Sequence, residues 1–199
     1  MARISKEQQE LVRERLIASA ARHFAVSGFE GANINQISLD AGLAKGTVYN
    51  YFATKRELFA AVLEVGSEDT VALYKEMSPT DDTASKLEAL LEADVALTRR
   101  HEDFVKVLAR ELLATDADTR DLIDSGLEPL LACTETILRE GRARGEVRRD
   151  RSAQQLADHL ISLVIMLYVQ HWRTRDRQPS WTDIPALTVD LFLNGAATD

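Results

Sequence analysis

The chain has 199 residues, 45% hydrophobic and 28% charged, with only 9 glycines and 4 prolines, a globular balance that excludes a disordered or collagen-like polymer. Its single cysteine, Cys133, excludes an intramolecular disulfide, and with four scattered histidines it makes no structural metal site. The net charge of −8 counts against a nucleic-acid partner only in bulk, because residues 1–60 hold 8 Lys and Arg against 6 Asp and Glu and the acid lies further on.

No basic segment leading into an apolar stretch opens the sequence, which points away from secretion. The most apolar run, 160–169, is far shorter than the roughly 20 residues that cross a bilayer. The expectation is a cytoplasmic protein with no membrane partner.

The first helix runs from Gln8, with Leu11, Val12, Leu16, Ile17, Ala20, Ala21 and Phe24 at three- and four-residue spacings, and stops at Gly28. Asn33 suits the N-cap of a second helix that buries Ile34, Ile37 and Ala41 and ends at Gly42. A third helix is predicted over 45–52, with Val48 and Phe52 inward. Thr54, followed three residues later by Glu57, has capping-box spacing for a fourth, whose apolar period passes Leu58, Val62 and Val65 toward Tyr74.

Residues 78–82 read as a loop, Ser-Pro-Thr-Asp-Asp. Beyond it Leu87, Leu90, Leu91, Val95 and Leu97 mark one helix, and Phe104, Val105, Leu108, Leu112 and Leu113 the next. After a turn at 116–119, Leu122, Ile123, Leu127, Leu130, Leu131, Ile137 and Leu138 form another, closed by Gly141 and Gly145. Arg142, Arg144, Arg148, Arg149 and Arg151 follow as a basic run, but Glu140, Glu146 and Asp150 interleave with it and cancel its field, as in a solvated loop. Ser152 opens the most apolar helix, with Leu156, Leu160, Leu163 and Leu167 on one stripe and Ile161, Ile165, Tyr168 and Trp172 on another, which implies burial on two faces. A last helix covers 182–193 with Ile184, Leu187, Leu191 and Phe192. No strand alternation or repeat occurs, so the fold is all-α: a three-helix head over 1–53 and a larger helical body over 54–199, about nine helices in all.

Residues 28–58 read as helix, glycine turn, helix and capped helix, a helix-turn-helix whose second helix enters the major groove. Its outward face carries Lys45, Thr47, Tyr49 and Asn50. Lys45 can donate to guanine, while Gln36 and Asn50 carry the amide geometry that pairs with adenine, with Asn35 beside them. Gly46 permits close approach of backbone to phosphate; Thr47, Tyr49 and Lys55 can donate to phosphate oxygens, which positions without reading sequence. Lys55 sits in the first turn of a helix, where the dipole already favours an anion.

At these residues the chain resembles the TetR family of bacterial repressors, over 13–63: RERLIASAARHF, GF, INQIS, AGLAKGTVYNYF and TKREL. Two positions depart from the family pattern. Ala44 stands where a serine often caps the recognition helix, and Ser19 where alanine is usual. The resemblance implies a homodimer that binds an inverted-repeat site on double-stranded DNA, and a divergent body that holds a small-molecule pocket and the dimer interface. An apolar effector that releases a repressor is the expected regime. Pocket candidates are Phe104, Leu108, Leu131, Tyr168, His171 and Trp172, since pockets are mostly apolar with few placed polar groups. Dimer candidates are Leu160, Leu163, Leu167, Ile184, Leu187 and Leu191. No cofactor is expected. The sequence has no G-x-S-x-G, P-loop, Gly-rich dinucleotide turn or paired histidines, so an enzyme is not expected either.

Overall fold

A computed structural model of the chain describes residues 5–65, 75–76, 81–100, 102–112 and 117–195. Among these residues there are eight α-helices, one 3-10 turn and no strand, in keeping with the all-α expectation. The helices are α1 (Lys6–Gly31), α2 (Ile34–Asp40), α3 (Lys55–Glu64), α4 (Thr83–Arg100), α5 (Glu102–Glu111), α6 (Ala117–Arg144), α7 (Ala153–Arg173) and α8 (Ile184–Leu193), with the 3-10 turn at Thr47–Asn50. Contacts divide the chain into two compact units: Met1–Val65 with His101–Gly126, and Gly66–Arg100 with Leu127–Asp199. The expected extension of α3 toward Tyr74, the loop residues 78–80, His101, Leu113 and Asp116 lie outside the described residues.

The first unit forms around α1. Ser5 caps it reciprocally: its Oγ accepts the Gln8 N–H and its own N–H donates to Gln8 Oε1, both at 3.1 Å. Leu16, Ile17, Ala20 and Phe24 are buried as expected, but Leu11, in the first turns of the helix, is 56% exposed. Gly28 breaks the helical conformation with φ 74°, and the backbone groups around this kink are satisfied by side chains from elsewhere. Arg110 Nη1 of α5 donates to the Val26 carbonyl at 2.8 Å, the Phe29 N–H donates to Glu111 Oε1 at 3.0 Å, and Lys55 Nζ of α3 donates to the Glu30 carbonyl at 2.9 Å. Phe24, Phe29 and Phe59 pack together beneath, with Phe24 and Phe59 edge to face at 5.0 Å.

In the second unit, Ser152 caps α7 with Gln155 in the same reciprocal manner as Ser5. α8 packs on both α4 and α7. Lys86 is buried and donates to Glu140 at 2.7 Å. Gly141 does not stop α6, which continues to Arg144 and ends at Gly145, φ 83°. The basic run is neutralised locally: Arg144 and Arg148 bond Glu146 and Asp150 at 2.7 and 2.6 Å, and Arg142 and Arg149 donate to each other's carbonyls. Those bonds hold Glu146 down at about 2 and Asp150 below the usual carboxylate range.

The expected dimer set does not survive intact. Leu160, Leu167 and Ile184 are buried within the protomer, at 0, 7 and 0% exposure, and offer no surface to a second copy. Leu163 and Leu187 are half-buried and Leu191 is exposed, while Met166, not expected there, is 62% exposed. Residues 160–169 of α7 are apolar but for Ser162, so the periodicity could not say which stripe meets its own core.

Candidate nucleic-acid interface

The head is built by local chemistry. Asn33 Oδ1 accepts the N–H groups of Asn35 and Gln36 at 2.9 and 3.3 Å and starts α2, which Gly42 ends at φ 74°. The expected helix over 45–52 is shorter and tighter: only Thr47–Asn50 are helical, as a 3-10 turn. Gly46, at φ 78°, sits in the left-handed region immediately before it, so the turn cannot extend backward through Lys45. The departure at Ala44 has a structural counterpart. Ser38 Oγ, buried on α2, accepts the Val48 N–H at 3.3 Å and supplies from the neighbouring helix the acceptor that a local cap would give. The departure at Ser19 likewise has a partner, since its Oγ donates to the Ile37 carbonyl at 3.0 Å.

Val48 and Phe52 are buried at 1 and 2% exposure, and this anchors the turn so that Lys45, Tyr49 and Asn50 are exposed and Thr47 is half-buried. Gly46 faces open space, with nothing within 4 Å of where a Cβ would sit. Asn35 and Gln36 are exposed on α2. Gln36 Nε2 donates to Asp40 Oδ1 at 2.9 Å, and His23 Nε2 lies 2.6 Å from Asp40 Oδ2. The Gln36 amide and then His23 hold Asp40 below the usual carboxylate range, so one N–H of the Gln36 amide is engaged, which leaves its second N–H and its carbonyl oxygen for outward contacts. Lys55 is half-buried, its ammonium on the Glu30 carbonyl and 5.1 Å from the Phe29 ring centroid. Thr54 Oγ1 accepts the Glu57 N–H at 3.0 Å, while the Glu57 carboxylate reaches the Ala53 N–H at 2.6 Å.

Of the expected pocket residues, Phe104 and Leu108 belong to the first unit and Leu131, Tyr168, His171 and Trp172 to the second. The second unit gathers Tyr168, His171, Trp172 and Trp181 into an aromatic cluster, with the His171 and Trp181 rings 4.1 Å apart and Tyr168 and Trp181 5.4 Å apart. The Tyr168 hydroxyl donates to Asp94 Oδ2 at 2.5 Å. Part of the Asp94 residue is accessible, yet its carboxyl is enclosed, and burial pushes it up to about 6. Burial also carries the Tyr168 hydroxyl well above its ordinary range.

Residues 16–62 match the family of bacterial regulatory proteins of the tetR type, and residues 70–195 match the C-terminal region of YsiA-like proteins. The chain belongs to the TetR family. The fatty acid metabolism regulator protein of Bacillus subtilis is 23% identical over 182 residues, 91% of this chain and 93% of that one. Among solved structures, Bacillus subtilis FadR in complex with stearoyl-CoA superposes with a TM-score of 0.78 at 19% identity, covering 92% of this chain and 99% of that one. AibR in complex with isovaleryl coenzyme A and operator DNA superposes at 0.72 with 19% identity, covering 92% and 98%.

A TetR-family protein is a ligand-responsive, DNA-binding transcriptional regulator and not an enzyme. No helix among the described residues is long and apolar enough to cross a membrane. Sequence reasoning missed Ser38, Asp94 and Thr98 in this TetR chain. Each left a signal: a polar residue at an apolar helical spacing, Ser38 one turn after Ile34, and Asp94 and Thr98 one and two turns after Leu90 and Leu91.

The raised Asp94 carboxyl makes a pH prediction. Between about pH 4 and 6 the folded protein holds a proton there that the unfolded chain has released, so this group's stabilisation is full at low pH and is lost as pH rises through about 6. Asp94→Asn keeps an acceptor for Tyr168 and removes the titration. Its melting temperature relative to wild type is therefore expected to climb from pH 4.5 to pH 7. A difference that stays flat with pH would show that Asp94 titrates normally.

Proposed function

We propose that this chain is a repressor that binds a palindromic operator as a homodimer and is released by a long-chain acyl thioester of coenzyme A. The observation that carries the DNA half is the exposed donor face of the 3-10 turn, held outward by buried Val48 and Phe52. Lys45, Asn50 and Gln36, with Asn35, read base edges; Gly46, Thr47, Tyr49 and Lys55 hold phosphates. The effector half is supported by relatives crystallised with stearoyl-CoA and isovaleryl coenzyme A. Residues 1–53 form the DNA-binding domain and 54–199 the effector and dimer domain, working in the cytoplasm. Two heads then meet half-sites about 34–36 Å apart, and the effector acts by favouring a separation that no longer fits.

Selection from a random DNA pool followed by fluorescence anisotropy tests this. An enriched inverted repeat, bound by two chains and released by lauroyl-CoA, is the expected result. Enrichment of no repeat would remove the operator reading, and an undiminished complex with effector present would remove the effector reading.

A further inference from the structure

Buried threonines on the helices of the second unit close their own hydrogen bonds. Thr134 donates to the Leu130 carbonyl at 2.8 Å and Thr188 to the Ile184 carbonyl at 2.6 Å. Thr98 does not: fully buried at 0% exposure, it faces the Tyr168 hydroxyl but its Oγ1 makes no hydrogen bond of normal geometry. His171, 3% exposed, is the second case. Its Nδ1 lies 2.8 Å from the Pro179 carbonyl, an acceptor only, so the ring proton belongs on Nδ1. Nε2 is then a bare lone pair, buried and unpartnered.

The two groups flank the Tyr168 side chain. Its hydroxyl, bonded to Asp94 Oδ2 of α4, is faced by Thr98 one turn further along that helix, and its ring lies 5.4 Å from that of Trp181, which packs at 4.1 Å on His171. The rings of Tyr168, Trp172 and Trp181 stand around His171, an apolar frame for two unmet polar atoms. A hydroxyl and an imidazole lone pair together ask for a group that both donates and accepts. Leaving such groups unpaired costs stability, a cost a ligand can relieve.

We propose that Thr98 Oγ1 and His171 Nε2 are the polar anchors of the effector site, and that the effector presents to them a hydroxyl or secondary amide on an otherwise apolar body. This rests on the effector-controlled reading above and names the chemistry of that site. The pantetheine arm of an acyl-CoA carries such groups, and so does a simple long-chain alcohol.

The test measures binding of lauroyl-CoA and of 1-dodecanol to wild type, Thr98→Val, Thr98→Ser and His171→Asn, with ligand-free melting temperatures. In His171→Asn the shorter amide retains a donor for the Pro179 carbonyl and lacks the distal acceptor. Thr98→Val and His171→Asn are expected to weaken the bound probe roughly tenfold or more. Thr98→Ser is expected to keep the affinity, and Thr98→Val to melt no lower than wild type, because it removes an unpaired buried hydroxyl. Weakened lauroyl-CoA binding places the pantetheine arm at the anchors. Binding of dodecanol alone, weakened by the same variants, leaves the anchors standing and removes the acyl-CoA reading. Unchanged affinities in both variants overturn the anchors while lauroyl-CoA binding stands, as does a loss that follows melting temperature and includes Thr98→Ser. A wild type that binds neither probe overturns both.

Discussion

Gly141→Ala is expected to destabilise the protein by about 3 kcal/mol, at the upper end of what overpacking a core costs. A Cβ at this position would lie 2.0 Å from Thr83 Oγ1, 2.9 Å from Val147 Cγ2 and 3.2 Å from Thr83 Cβ. Neither neighbour can swing away. Both are β-branched and stiff at χ1, and Thr83 is pinned by two bonds to Glu146 Oε2, from its N–H at 2.9 Å and from its hydroxyl at 2.6 Å. Urea melts give the measurement. Gly31→Ala serves as the control, since its added Cβ would meet only Ser27 Cβ at 3.4 Å. If the double variant Gly141→Ala, Thr83→Ala were destabilised by the full sum of its single changes, the clash would not be the cause.

Gly141 also shows where sequence stops being decisive. A glycine near the end of an apolar period reads as a helix stop, and for Gly28, Gly42 and Gly145, all at positive φ, it marks a break. At Gly141 the same residue is kept for space inside the last turn of α6, a demand set by Thr83, far away in sequence. Features closed within a few residues were legible: Asn33, Thr54 and Ser152 each cap the helix that follows, because a side chain reaching the second or third N–H is a local event. Features closed across the fold were not. Ser38 supplying the acceptor for Val48, and α5 satisfying the α1 kink, require knowing which helices touch.

Burial on α7 failed for another reason. Periodicity identifies apolar faces but does not rank them, and a helix with two leaves the partner face open. Leu160 and Leu167 went to the protomer's own core, covered by neighbouring helices. Asp94 was legible in principle, for an acid one turn beyond Leu90 and Leu91 on a buried stripe conflicts with its surroundings, and such conflicts collect at functional sites. The exposed polar face of Lys45, Tyr49 and Asn50 was legible as a set because its pattern is dense; the internal engagements around it were not. Gln36 spends one of its two amide N–H groups on Asp40, and Lys55 spends part of its ammonium on Glu30.

Those engagements separate two lysines that sequence treats alike. Lys45→Ala is expected to lower affinity for the preferred operator by about 10- to 100-fold per half-site and to narrow the gap between that operator and its variants, since one base-directed pairing is worth roughly 1–3 kcal/mol. Lys45 is exposed immediately before the left-handed Gly46, where the chain turns toward open space, so its removal disturbs no internal bond of the core. Lys55 differs. Its ammonium lies over the Phe29 ring and is held by the Glu30 carbonyl, which keeps the charge at the α3 N-terminus with proton donors to spare for a phosphate. Lys55→Met retains the apolar stem and removes the charge. It is expected to weaken all sequences alike and to flatten the salt dependence by about one counterion per subunit. Anisotropy titrations of both variants, on the selected operator and a scrambled duplex across a salt series, distinguish the roles. Should Lys45→Ala weaken both duplexes equally, Lys45 holds phosphate and base reading falls to Asn50 and the outward oxygen of Gln36.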